Sequence, residues 1–266
     1  MRLLIAVIAG LAAIVILVRA VEARFAFFPS AGEHPTPDDL GLTFERATLS
    51  TSDGEHLRAW LLPNPTARAL VVYFHGNGGN LSVWLPILAG LHRQGFTVAA
   101  IDYRGYGSST GRPSEQGLYR DVDAALEWAS RLVRPGLPVL YWGRSLGATM
   151  AAYAATKQKP DGLVLESGFA SARALLRASP VQALLSIFSS YRFPTAEYAD
   201  RAGCRVLVMH GDADTVIPFG NGRELFATLP EPKRFLTIAG GDHNDVAPND
   251  PRSYWSTVDE FVASLR

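Results

Sequence analysis

Val139-Leu140-Tyr141-Trp142-Gly143-Arg144-Ser145-Leu146-Gly147 is an apolar run that passes into a G-x-S-x-G pattern, and the alanine-rich run Ala148 to Thr156 follows it. The order reads as strand, sharp turn, helix. The two glycines remove side chains that would collide where a strand turns tightly into a helix, leaving the Ser145 hydroxyl at the apex as a candidate nucleophile. Gly107-Ser108-Ser109-Thr110-Gly111 fits the same pattern, but it stands away from the nearest apolar run and precedes Arg112-Pro113, so it reads as loop.

Outward from this turn, strands and helices alternate. Upstream lie Leu42 to Ser50 and Leu57 to Leu62, joined by Ser52-Asp53-Gly54, and then the continuous apolar run Ala69 to Phe74, typical of a strand covered on both faces. A helix Leu81 to Leu91, a strand Thr97 to Ile101 and a helix Ser114 to Val133 come next. Downstream are strands Leu163 to Glu166, Val206 to Met209 and Arg234 to Ile238, a helix Gly222 to Leu229, and a last helix to Leu265 that Asp250 caps and Pro251 opens. Two early strands followed by helix and strand units predict an α/β fold, a mostly parallel sheet with helices on both faces. The connection Ala170 to Gly203 is too long for one crossover helix. Leu175, Leu176, Val181, Leu184, Leu185, Ile187 and Phe188 make part of it apolar at helical spacing, so residues 170–203 read as a helix plus a small helical lid, or as a longer crossover with a core face.

In such sheets functional groups gather in the loops at the carboxyl ends of the strands. A serine nucleophile needs a base, and the base needs a carboxylate that fixes its tautomer. Asp214, in His210-Gly211-Asp212-Ala213-Asp214, and His243, in Gly240-Gly241-Asp242-His243, each follow a strand, giving the chain order Ser145, Asp214, His243 that accompanies this type of turn. Asp212 lies closer to its strand end and reads as a brace for the turn. Asp242 and Asp245 flank the base in solvated or capping positions, and His34, His56, His92 and His210 read as surface or structural. An acyl-transfer site also needs donors for the developing oxyanion. The backbone N–H of Asn77, in His75-Gly-Asn-Gly-Gly-Asn80, and that of Leu146 are assigned that role. Neither G-x-G-x-x-G nor a lysine-ended phosphate loop is present, so this loop is not read as a phosphate-binding one, and no cofactor or metal ligand is assigned.

Residues Leu3 to Val18 are uncharged and almost wholly apolar, bracketed by Arg2 and Arg19. With Phe25, Phe27 and Phe28 as interfacial aromatics, this predicts a membrane anchor over 1–24, a tether over 25–41 and a catalytic domain over 42–266. The domain is assigned to the exported side, although Arg2 on one flank and Arg19 and Arg24 on the other leave the orientation open. Small residues in Val18-Arg19-Ala20 and Val21-Glu22-Ala23 allow the alternative of a cleaved signal segment and secretion. Lys plus Arg and Asp plus Glu each number 25, so the zero net charge gives nucleic acid no purchase. Cys204 stands alone, which excludes an intrachain disulfide and suits a buried structural thiol.

The elbow, the His75 to Asn80 loop, Asp102-Tyr-Arg-Gly-Tyr-Gly107, Leu165-Glu-Ser-Gly-Phe169 and the Asp214 and His243 loops together resemble the α/β-hydrolase superfamily, and within it the membrane-anchored Bem46-like and ABHD-like serine hydrolases. The resemblance implies an eight-stranded sheet, a Ser145–Asp214–His243 triad and cofactor-free hydrolysis of an ester, thioester or amide. The expected substrate is a small acyl compound of lipid-like character, or an acylated protein. A peptidase on the same triad and a membrane-tethered binding module with a vestigial site are the alternatives.

Overall fold

The computed structural model describes residues 1–177, 183, 184, 187, 189–245 and 250–265. In chain order its strands are β1 (Phe28–Pro29), β2 (Glu45–Ser50), β3 (His56–Leu62), β4 (Ala69–Phe74), β5 (Gly78–Gly79), β6 (Phe96–Ile101), β7 (Val139–Arg144), β8 (Gly162–Glu166), β9 (Arg205–Gly211) and β10 (Lys233–Ile238). Eight of them form one sheet in the order β10-β9-β8-β7-β4-β6-β3-β2. β2 and β3, and β3 and β6, pair antiparallel; every other pair is parallel. The elbow strand β7 therefore lies mid-sheet between β4 and β8.

The residues of β4 are all buried because both faces are covered. Val72 and Phe74 join the core under α3 (Glu115–Ser130) and α4 (Leu146–Lys157), whereas Val71 and Tyr73 join the core under α2 (Leu81–Arg93) and the last helix, Pro251–Ala263. This alternation is the period of two expected of a strand, and each fully buried aliphatic side chain stabilises the fold by roughly 1.5–3 kcal/mol. Helix starts follow their caps: Asn80 Oδ1 accepts from Val83 N–H, Ser114 Oγ from Gly117 N–H, and Asp250 Oδ1 from Ser253 N–H. The second G-x-S-x-G match is loop, with Ser109 Oγ donating to Asp102 O at 2.9 Å. Strand β9 runs two residues further than its sequence suggests, through His210 and Gly211, because β10 pairs with it to its end.

The amino-terminal run forms helix α1 (Arg2–Ala26). Among the described residues no helix is long and apolar enough to cross a membrane; α1 carries Arg19, Glu22 and Arg24 in its last two turns. The anchor reading rests in part on side chains outside the described ones, those of residues 3, 5–8, 11, 14, 20, 21 and 25. Residues 27–40, read as tether, lie along the domain. Phe27 is buried, β1 pairs parallel with β5, Ala31 bridges to Gly107, and Pro37–Leu40 form a 3-10 turn.

Of the lid residues, Val181, Leu185 and Phe188 lie outside the described residues. Leu175 and Leu176, in α5 (Ala172–Leu176), are half-buried, and Leu184 and Ile187 are exposed. Both ends of this segment are fastened at one place. Ala172 N–H donates to Arg192 O at 2.9 Å. The buried Glu115 carboxylate accepts from the N–H groups of Arg192 (2.6 Å) and Phe193 (2.8 Å) and from Tyr119 Oη–H (2.6 Å).

Candidate active site

Ser145 occupies the turn between β7 and α4 with φ 57° and ψ −122°. A non-glycine residue at positive φ costs of order 1–3 kcal/mol and persists only where its surroundings over-determine it. Here they do so through close packing: a Cβ on Gly143 would collide with Gly147 O, and one on Gly147 with Phe74 O. Ser145 N–H is held by Glu166 O at 2.9 Å.

The structure brings the three sequence-derived residues together. His243 Nδ1 lies 2.8 Å from Asp214 Oδ2, and His243 Nε2 lies 3.1 Å from Ser145 Oγ. Burial alone would raise the Asp214 pKa. Hydrogen bonds from His210 and His243 and from Ile217 N–H outweigh it and hold the carboxyl well below the usual range. An ionised Asp214 accepts the proton of Nδ1, which leaves Nε2 as the acceptor facing the serine hydroxyl.

Two pH effects follow. Asp214 stays charged throughout the working range, so its protonation is expected to add no step to a pH-rate profile of kcat/KM there. Because its folded pKa is depressed, Asp214 contributes stability that is full above the ordinary carboxylate value and is lost as pH falls through the folded pKa. Chemical denaturation of Asp214→Asn and the unsubstituted protein at pH 7 and pH 3 is expected to show a gap that narrows in acid.

The remaining acidic side chains hold loops. Asp212 Oδ1 accepts from Gly240 N–H at 2.6 Å, and Asp242 Oδ1 accepts from both the N–H and the hydroxyl of Thr215 at 2.8 Å, fastening the Asp214 loop to the His243 loop. Asn77 and Leu146 both border the cleft at Ser145. As the first residue of α4, Leu146 has no intrahelical acceptor for its N–H. The Asn77 side chain is fixed at both ends: Nδ2 donates to Ala26 O at 2.5 Å, and Oδ1 accepts from Tyr106 Oη–H at 3.0 Å. His75 packs against Tyr103, Tyr106 and Trp84 in the core beneath that loop. Among the described residues no group of His, Cys, Asp and Glu could hold a metal ion.

Sequence reading passed over Arg144 and took His210 only as surface or structural. His210 sits with Nε2 2.9 Å from Ile217 O and 3.3 Å from Asp214 Oδ2, behind the carboxylate that faces His243. Arg144, the variable residue before Ser145, is 6% exposed, and its Nη2 donates to His243 O at 2.8 Å and to Asp245 O at 2.7 Å. Glu166 lies 3.7 Å from its Nη1, and the Trp84 ring lies 5.9 Å from its guanidinium carbon. A charged side chain inside an otherwise buried strand end was the available signal.

Ser145 and His243 open onto a cleft of about 1200 Å³ whose lining is mostly apolar and includes Phe28, Trp84, Leu146, Phe169, Leu175 and Leu176. A strained serine between a mid-sheet strand and a helix, with histidine and aspartate on successive later strand ends, defines an α/β-hydrolase. Residues 65–202 match the family described as Serine aminopeptidase, S33. An uncharacterized protein of Mycobacterium tuberculosis is 32% identical, over 94% of this chain and 90% of its own length. Alpha/beta hydrolase domain-containing protein 17B of Xenopus laevis is also 32% identical, over 75% of this chain and 68% of that protein. An esterase of Pyrococcus furiosus, Pf2001, shares the fold with a TM-score of 0.71 at 19% identity, covering 90% of this chain and 96% of that one. The chain belongs to the serine aminopeptidase S33 family of α/β-hydrolases, among its Bem46-like and ABHD-like members.

Proposed function

We propose that this hydrolase is a serine esterase or thioesterase acting on lipid-like acyl compounds. The observation that carries the reading is the Ser145–His243–Asp214 chain of contacts at 3.1 and 2.8 Å, set at the edge of the apolar cleft. Ser145 Oγ attacks the carbonyl carbon while His243 Nε2 takes its proton. The N–H groups of Asn77 and Leu146 receive the oxyanion, and the intermediate collapses as the imidazolium protonates the departing alcohol or thiol. Water, deprotonated by His243, then attacks the acyl-enzyme and releases the acid and the free serine. Apolar lining favours an acyl chain, since each buried methylene contributes about 0.8 kcal/mol.

The run Leu3 to Val18 further supports seating of α1 at a membrane as the anchor 1–24, with 42–266 as the catalytic domain and 170–203 as its lid. A 30% identical relative in Saccharomyces cerevisiae, an uncharacterized membrane protein that matches 85% of this chain and is itself covered over 82%, agrees with that seating.

A fluorophosphonate is expected to label Ser145 and no other serine, as read by mass spectrometry of the labelled peptide; absence of labelling in folded protein sinks the reading. The family's description favours peptide hydrolysis as a second reading. An aminopeptidase needs a carboxylate for the substrate ammonium. Here Glu22 accepts from Ser189 and Ser190, and Asp245 accepts from Asp242 N–H. Turnover of p-nitrophenyl esters is therefore expected to exceed that of aminoacyl p-nitroanilides by at least about 100-fold, the reverse ratio favouring the peptidase.

A further inference from the structure

Helix α1 is part of the cleft. Leu17, Val18, Glu22 and Ala26 border it, and Val18, Glu22 and Ala26 recur every four residues, which places them on one stripe of the helix. From Leu17 to Ala26 that stripe extends roughly 13 Å at 1.5 Å per residue.

Three independent contacts fix the stripe beside the candidate nucleophile. Glu22 Oε2 accepts from Ser189 Oγ–H at 2.8 Å and from Ser190 N–H at 3.0 Å, and Glu22 Oε1 accepts from Ser190 Oγ–H, joining the helix to the segment after α5. Ala26 O receives Asn77 Nδ2 at 2.5 Å, joining the helix end to the oxyanion loop. Phe27, immediately beyond the helix, packs edge-on to Tyr191 at 5.4 Å and to Phe193 at 6.3 Å. A segment that only tethers has no need of such contacts. With α1 in place the cleft measures about 1200 Å³, above the roughly 300–1,000 Å³ of a usual small-molecule pocket.

We infer that the carboxyl-terminal half of α1 is a wall of the acyl subsite and sets which acyl chains reach Ser145, so that the preferred substrate is an ester or thioester of a long-chain fatty acid. The inference rests on the acyl-transfer reading above. Leu17 and Val18 line the far part of the chain's path, and Glu22 holds the wall to the segment that faces it.

The test compares Val18→Trp with Ile16→Trp in the full-length chain in detergent. Ile16 is two positions away, some 200° around the helix; it is exposed and does not border the cleft. Both changes add the same ring to α1. The ratio of kcat/KM for hexadecanoyl over butanoyl p-nitrophenyl ester is expected to exceed ten in the unsubstituted chain. It is expected to fall at least tenfold in Val18→Trp and to stay within twofold in Ile16→Trp. An unchanged ratio in Val18→Trp, or an equal fall in both variants, overturns the inference while leaving the acyl-transfer reading intact. If the unsubstituted chain neither labels with a fluorophosphonate nor cleaves any ester, both fall. Should Val18→Trp fail to fold, Leu17→Phe and Glu22→Ala replace it, each expected to move the same ratio at least threefold; no movement in either overturns the inference.

Discussion

Ser145→Ala is expected to lower kcat/KM on a p-nitrophenyl ester by roughly four orders of magnitude or more, and Asp214→Asn by about 10⁴. The first change removes the only atom that attacks the acyl carbon. The second leaves the 2.8 Å contact to His243 Nδ1 in place but permits the wrong tautomer, so that Nε2 faces Ser145 as a donor. Thermal unfolding of Ser145→Ala should move little, because alanine keeps the Cβ and meets the same φ of 57°. Separation of rate from stability is what makes the test clean. Full turnover by Ser145→Ala would mean that the hydroxyl is a bystander and that another group carries the chemistry.

Arg144→Met is the second large change, and it is expected to act on both rate and stability. The guanidinium gathers the carbonyls of His243 and Asp245, so it holds the loop that carries the imidazole without touching substrate. It is also the nearest counter-charge to Glu166, which is 5% exposed and receives Trp142 Nε1–H at 3.0 Å. Removing one partner of a buried pair leaves the other uncompensated, at a cost of about 3–5 kcal/mol. Loss of imidazole positioning is expected to cost about 100-fold in kcat, since a shift of about 1 Å has that effect, with KM nearly constant. Arg144→Lys keeps charge but loses the planar guanidinium whose Nη2 reaches both carbonyls while Nη1 faces Glu166. It should recover much of the stability, read by chemical denaturation, and little of the kcat. If Arg144→Met lowers stability yet leaves kcat and the pH-rate profile untouched, the residue is structural only.

Reading from sequence succeeded where the deciding physics is local. The elbow is legible because Gly143 answers a collision with Gly147 within five residues, and the alternation around it is legible because β4 and β7 are buried on both faces. Asp214 and His243 could be chosen because the chain order and the strand ends limit the candidates. What escaped is long-range. Arg144 meets its carbonyl acceptors about a hundred positions later in the chain, at His243 and Asp245, and no periodicity announces such a contact. His210 and Gly211 are poor strand formers, so β9 reads two residues short until β10 pairs with it. The amino-terminal run reads as independent of the domain because its apolarity is uniform. Only the folded chain brings Ala26 to Asn77 and Glu22 to Ser189.

The fastening at Glu115 bears on how such a protein diversifies. Arg192 and Phe193 are held by one carboxylate from α3, and Arg192 also receives the N–H of Ala172, so the two ends of the excursion from Ala172 to Arg192 meet at one seam. Loop-closure entropy grows by only about 0.6 kcal/mol for each doubling of length. A change in the number of residues between the two ends of the seam therefore costs little, while the sheet and the serine beneath it keep their geometry.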